Sequence, residues 1–133
     1  MNSFKAKIID IKTSGSFSLV SLEAIGLKLK SIVIDTPQTA DYLQINQEVS
    51  VIFKELEVSV ATTPDLPISL QNQIPGSIIA LQKGELLARI TLQTQVGPIT
   101  SIITAVSADE LELTVGQEVF ALIKTNELML SRE

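Results

Sequence analysis

The sequence predicts an all-β protein of two tandem five-stranded Greek-key barrels of the OB type, each with a short helix. Three observations predict it. The chain repeats itself, each repeat divides into five short apolar runs, and each repeat holds one stretch with helix-start signals.

The repeat sets the size of everything else. Displacing the 133-residue sequence by 70 positions aligns its two halves without a gap. Ile8 falls on Ile78, Leu22 on Leu92, Ser31 on Ser101, Val49 on Val119 and Lys54 on Lys124. Apolar positions also match in kind, as in Phe4 with Ile74, Val20 with Ile90 and Ile52 with Leu122. The stretch "NQIPGSI" therefore restarts the unit that "NSFKAKI" began. Between the copies lies "ATTPDLPIS", the most linker-like segment, which sets the expected boundaries: a first unit over 1–63, a linker over 64–68 and a second unit over 69–133.

Within the second copy the expected strands are "GSIIALQ", "LLARITLQ", "PITSIITA", "EVFALIKT" and "ELMLS", all rich in β-branched or apolar residues. Period-2 alternation is clearest where Ala88, Ile90 and Leu92 share one face and Leu87, Arg89, Thr91 and Gln93 the other. The helical candidate is "SADELEL", in which Ser107 and Glu110 form an S-x-x-E capping box. Its counterpart is "TPQTADYL", with Thr36 as N-cap and Pro37 at the first helical position. Gly116, after "LELTV", permits a tight turn.

Units this small bury a modest fraction of their surface and are marginal alone. One strand is apolar on both faces, with Val119, Ala121 and Ile123 on one side and Phe120 and Leu122 on the other. Such a strand wants covering twice. The two copies are therefore expected to pack on each other and on copies from other chains, as a homo-oligomer.

Composition narrows the chemistry. Hydrophobic residues make up 45% of the chain but aromatics only 4%, so the core is built from Ile, Leu and Val. Ten basic residues against fifteen acidic ones give a formal charge of −5, which disfavours a surface that grips nucleic-acid phosphates. Stacking aromatics are equally scarce. With no Cys and no His, disulfides, thiolate chemistry, soft metal sites and the commonest proton shuttle near neutral pH are all missing. No carboxylate pair has the setting of a catalytic dyad, so an enzyme is not expected. The start "MNSFKAKIID" lacks the apolar core of a signal peptide, and no apolar run approaches the roughly 18 residues of a membrane span. The expectation is a soluble cytoplasmic protein without membrane contact.

The second copy resembles a known family. "SLQNQIPGSI" followed by "IITAVSADELELTVGQEVFALIKT" is similar to the molybdate-binding Mop, or TOBE, domain, and the duplicated chain resembles the tandem di-Mop molbindins. Members open with Ser-Ala-Arg-Asn-Gln, continue through Ile-Thr-x-x-Ser and close on Val-x-x-x-Ile-Lys-Ala-Ser/Thr. The resemblance implies no cofactor. It implies a ligand, molybdate or tungstate, bound where the opening motif of one unit meets the Ile-Thr-x-x-Ser and Lys segments of another, and it favours a trimer.

Carried onto this chain, the resemblance implicates Ser69, Gln71 and Asn72, then Thr104 and Ser107, then Lys124 and Thr125. Asn2, Ser3 and Lys54 are the weaker first-copy candidates. An oxyanion needs convergent donors, which hydroxyls, amides and an ammonium supply. A helix start at Ser107 would add oriented N–H groups.

Two departures from the family pattern stand out. Gln71 takes the place of Arg and brings neither charge nor a bidentate fork. In the first copy the positions of Thr104, Ser107 and Thr125 become Ile34, Pro37 and Glu55.

Most of these residues also have a plain structural reading. Ser107 can be a helix cap, Asn72 and Asn2 a shared turn or strand-entry residue, and Lys124 a solvated strand end. Ser31 and Ser101, identical between copies, fall outside the ligand pattern and are read as structural.

Overall fold

The computed structural model describes residues 1–132. The first half contributes β1 (Asn2–Ser14), β2 (Phe17–Ala24), β3 (Leu27–Val33), β4 (Glu48–Phe53), a single 3-10 turn (Glu55–Glu57) and β5 (Ser59–Ala61). The second contributes β6 (Asn72–Lys83), β7 (Leu87–Thr94), β8 (Gly97–Thr104), α1 (Ala105–Glu110), β9 (Glu118–Ile123) and β10 (Met129–Arg132). The offset of the sequence is thus the offset of the structure. Even the β-bulge recurs: register shifts between Ile8 and Asp10 in β1, and between Ile78 and Ala80 in β6.

The two five-stranded sheets run β10-β4-β1-β2-β3 and β5-β9-β6-β7-β8, with every neighbouring pair antiparallel. Their fifth strands are exchanged. β5 leaves the first half to pair with β9, Val60 opposite Ala121, and β10 leaves the second half to pair with β4, Leu130 opposite Val51. Each sheet is then closed across the exchange by a buried serine. Ser31 Oγ on β3 donates to the Leu128 carbonyl at 2.5 Å, and Ser101 Oγ on β8 donates to the Val58 carbonyl at 2.6 Å. The residues read as structural are the pins that shut the two barrels.

Inward faces follow the period-2 pattern. Val20, Leu22 and Ala24 are buried on β2, Ala88, Ile90 and Leu92 on β7, and Val49, Val51 and Phe53 on β4. Each fully buried Leu or Ile is worth about 1.5–3 kcal/mol of transfer free energy, so aliphatic side chains suffice where aromatics are scarce. On β9 the two-sided apolar run is largely covered within one chain: Val119, Ala121 and Ile123 are buried, as is Leu122, and Phe120 is half-buried.

Turn chemistry matches the sequence where it must. Gly116 sits at φ 94° before β9, and the equivalent Asn46 sits at φ 71° before β4, the non-glycine residue best suited to that left-handed region. Gly76 is held by space instead. A Cβ there would lie 2.9 Å from the Gln93 carbonyl oxygen and 2.9 Å from Thr94 Cγ2.

Two local expectations are corrected. The helix expected over "TPQTADYL" is a pair of tight turns, in which the Thr36 carbonyl accepts from Thr39 N and Ala40 N. Thr39 and Asp41 are poor helix formers, and the segment is too short to repay helix nucleation. In the second half the helix does form, but it starts earlier than the capping box implies. Thr104 is the N-cap, its hydroxyl accepting from Ser107 N at 3.0 Å, so Ser107 lies inside the first turn. No helix among the described residues is long and apolar enough to cross a membrane.

Candidate functional site

The opening motif and the Lys-Thr segment of the second half meet at one end of its sheet. Asn72, first residue of β6, pairs with Ile123, last residue of β9, so Gln71 and Lys124 flank the same strand end just beyond that pair. The residue next to each, Asn72 and Thr125, bonds to β3 of the other half. Asn72 is fully buried, and its amide clasps the main chain of Lys30: Oδ1 accepts from Lys30 N at 2.7 Å and Nδ2 donates to Lys30 O at 2.9 Å. One step further along, Ile32 N donates to the Thr125 carbonyl at 3.1 Å. Gln71 and Lys124 are exposed, Thr125 is half-buried, and Ser69 lies exposed in the segment leading into β6.

Thr104 and Ser107 are brought together elsewhere. Thr104 Oγ1 donates to Ser107 Oγ at 2.9 Å while accepting from Ser107 N, so two hydroxyls and a main-chain amide form one knot. The knot is fastened by Ala105 N donating to the Leu86 carbonyl at 2.8 Å, and by the Lys83–Asp109 ion pair at 2.6 Å. It sits at the far end of β8. Asn72 lies toward the Gly97 end of this sheet, and the run from Gly97 to Thr104 spans roughly 23 Å at about 3.3 Å per residue. A single chain thus assembles the candidate donors as two separate groups.

The first copy repeats the clasp. Asn2 Oδ1 accepts from Thr100 N and its Nδ2 donates to Thr100 O, both at 2.8 Å. Ser3 is exposed and pairs with Ile52. Lys54 is exposed and shares a shallow recess with Met1, Glu55, Leu56 and Ile102. Glu55, the carboxylate that replaces the family hydroxyl, receives Arg89 Nη2 at 3.2 Å and so is charge-compensated from the other half. The side chains of both asparagines are engaged in holding the halves together.

Other groups at these junctions escaped the sequence pattern. Around Gln71 and Asn72 opens a recess of about 470 Å³ lined also by Lys28, Lys30, Ser21 and Asp10 over an apolar floor of Leu22 and Leu29. Lys28 and Lys30 alternate along β3, and the packing of one half on the other puts them beside Gln71. Glu57 and Glu127 occupy equivalent positions in the two halves. The Glu127 carboxyl is held above its ordinary range by a hydrogen bond with Glu57, then by burial and by the Glu57 charge, with Lys124 opposing. Among the described residues no group of three or more His, Cys, Asp or Glu is placed to hold a metal ion. The available groups are hydroxyls, amides and ammoniums, which bind and orient.

The fold and these groups define a tandem of small OB-like barrels whose candidate site is built of hydrogen-bond donors. The TOBE domain model matches residues 68–130. Molybdenum-pterin-binding protein 1 of Clostridium pasteurianum is 38% identical over 66 residues, covering 49% of this chain and 97% of that protein. Over 67 residues the chain is 40% identical to the molybdenum transport protein ModE of Azotobacter vinelandii, a match that spans 24% of that protein. The whole chain superposes on the cytoplasmic molybdate-binding protein ModG in a crystal form with molybdate bound, with a TM-score of 0.91, 26% identity, and 99% and 96% of the two chains covered. The chain belongs to the Mop/TOBE family and has its two-unit, all-β form.

Proposed function

We propose that this chain is a molbindin-like protein that binds molybdate or tungstate as an intact oxyanion, for storage, buffering or sensing in the cytoplasm, and that it is not an enzyme. One observation carries this reading: the likeness to ModG extends over both units and nearly the full length of both chains, at 26% identity. Donor chemistry supports it. Hydrogen bonds to a charged group are worth about 1.5–3 kcal/mol each, so five or six suffice for micromolar binding after desolvation.

The sites lie between units, the first over 1–63 and the second over 69–133, joined by 64–68. Separation of the Thr104–Ser107 knot from the Gln71–Lys124 junction supports sites completed by another copy, in a homo-oligomer for which a trimer is favoured. Exposed Ile34, Leu86, Leu87 and Val106 supply apolar surface for such an assembly.

Calorimetric titration with molybdate, tungstate and sulfate tests the reading. Saturable heat with the first two supports it, and silence with all three up to millimolar concentration overturns it. A second reading, a ligand-free TOBE pair used for oligomerisation or regulation, draws on two observations: Gln71 carries no charge, and Glu55 is already neutralised by Arg89. Binding that emerges in Gln71→Arg and is absent from the natural chain would favour that reading.

A further inference from the structure

The recess beside Gln71 draws its side chains from both halves, and its cations come from the half without the ligand motif. Lys28 and Lys30 stand on β3 of the first half; their equivalents on β8 are Pro98 and Thr100, so β8 brings no such charge beside Asn2. Lys30 is half-buried and its ammonium is aimed, with Nζ donating to Ser21 Oγ at 3.2 Å. An ammonium has three donors, and this bond uses one. Beneath lie buried Leu22 and Leu29, which lower the local dielectric and make a fixed charge count for more than it does in open water. Asp10 on the rim is the opposing charge.

We propose that Lys30, seconded by Lys28, joins Lys124 as a cationic partner of an oxyanion bound at the Gln71 end of the β6–β9 junction. This rests on the oxyanion-binding reading above and assigns the charge that Gln71 lacks. A dianion approaching a chain of net charge −5 needs local cations; the Asn72 clasp fixes the Lys30 main chain beside Gln71, and the Ser21 hydroxyl receives its ammonium. The two units then differ in kind: the junction at Gln71 is an anion site, while the junction at Asn2 is a structural seam.

Because Asn72 bonds to the main chain of Lys30, the side chain can be changed without loosening the clasp. Calorimetric titration of the full chain with molybdate and with tungstate would be run on wild type, Lys30→Gln, Lys30→Arg and the double variant Lys30→Gln/Gln71→Arg, with thermal melts as the control of folding. Lys30→Gln is expected to weaken binding by about tenfold or more, Lys30→Arg to retain it within about threefold, and the double variant to recover it. Asp10→Asn is expected to tighten it. Wild-type affinity in Lys30→Gln overturns this proposal and leaves the oxyanion-binding reading standing, whereas a silent wild type removes both. Should Lys30→Gln melt early, the decision passes to tungstate-soaked crystals of wild type: a tungsten peak within about 5 Å of Lys30 Nζ supports the assignment, and peaks only elsewhere overturn it.

Discussion

Ser31 and Leu128 lie 97 positions apart and share a buried hydrogen bond of 2.5 Å from hydroxyl to carbonyl. Ser101 and Val58 form the same bond in the other barrel. Each bond joins a strand of one half to the returning segment of the other, so barrel closure and the union of the halves are one event. Ser31→Ala and Ser101→Ala each leave a buried carbonyl without its donor, at a cost of about 1–3 kcal/mol. Chemical denaturation should register losses of similar size for the two, since the sites are equivalent. A loss confined to one would show that the barrels are not equally dependent on their pins.

Strand exchange also governs what half of the chain can do. A fragment of residues 69–133 lacks β5, so β9 keeps an unpaired edge, while its own β10 has no β4 to join. Two such fragments can satisfy each other by giving β10 to the place that β5 holds in the whole chain. The fragment should therefore be dimeric or larger when folded, as read by analytical ultracentrifugation. A folded monomer would contradict the exchange.

Gly76 offers a test that touches no candidate donor. An alanine methyl group at this position meets main chain at 2.9 Å, which cannot swing aside as a side-chain end can. Gly76→Ala should destabilise by about 1–3 kcal/mol, the usual result of forcing extra volume into a packed site. Gly116→Ala tests the other use of glycine, because there the space is open and the strain comes from φ 94°.

Much of this was legible in the sequence because a duplicated chain reads its own pattern twice. Strand positions and the recurrence of Ser31 as Ser101 follow from the offset, the turn at Gly116 follows from glycine itself, and the structural standing of the two serines follows from their place outside the ligand pattern. The partner of each fifth strand does not. Ser59–Ala61 and Met129–Arg132 satisfy the same apolar pattern whether they fold back on their own half or cross over, and the choice depends on the path of the chain. The cap lies at Thr104 and not at Ser107 for a different reason. In "TAVSADE" a T-x-x-S pattern overlaps the S-x-x-E pattern, and the hydroxyl three residues before Ser107 N captured that donor first. Lys28 and Lys30 carry no signal in the sequence because their neighbour Gln71 belongs to the other half.

The carboxyl pair Glu57–Glu127 predicts a pH response. With the Glu127 carboxyl raised chiefly by its hydrogen bond to Glu57, the folded chain holds a proton there that the unfolded chain releases. The associated stabilisation is therefore fully present below the ordinary glutamate range and is lost as pH rises through the raised value. Both side chains are partly solvated, so the effect on stability is small, and the sharper readout is NMR titration of the Glu127 carboxyl carbon. In Glu57→Gln its midpoint should fall back toward the ordinary value; an unchanged midpoint would assign the shift to burial instead.

Thr104 and Ser107 separate helix capping from ligand binding, because the structure gives them different duties. Thr104 Oγ1 accepts from Ser107 N, so Thr104→Val removes the cap of α1 and should cost about 0.5–2 kcal/mol of stability whether or not an anion ever binds. The hydroxyl of Ser107 is the acceptor of an exposed bond from Thr104, and the cap itself survives its loss. Ser107→Ala should therefore change stability by less than about 0.5 kcal/mol, the range of surface substitutions. If Ser107 faces the oxyanion, the same variant loses one charge-assisted hydrogen bond of about 1.5–3 kcal/mol, and its affinity for molybdate falls by about tenfold or more. Parallel melts and titrations of the two variants decide the matter. Lost affinity with kept stability in Ser107→Ala assigns the hydroxyl to the ligand, while unchanged affinity confines the Thr104–Ser107 knot to holding the helix.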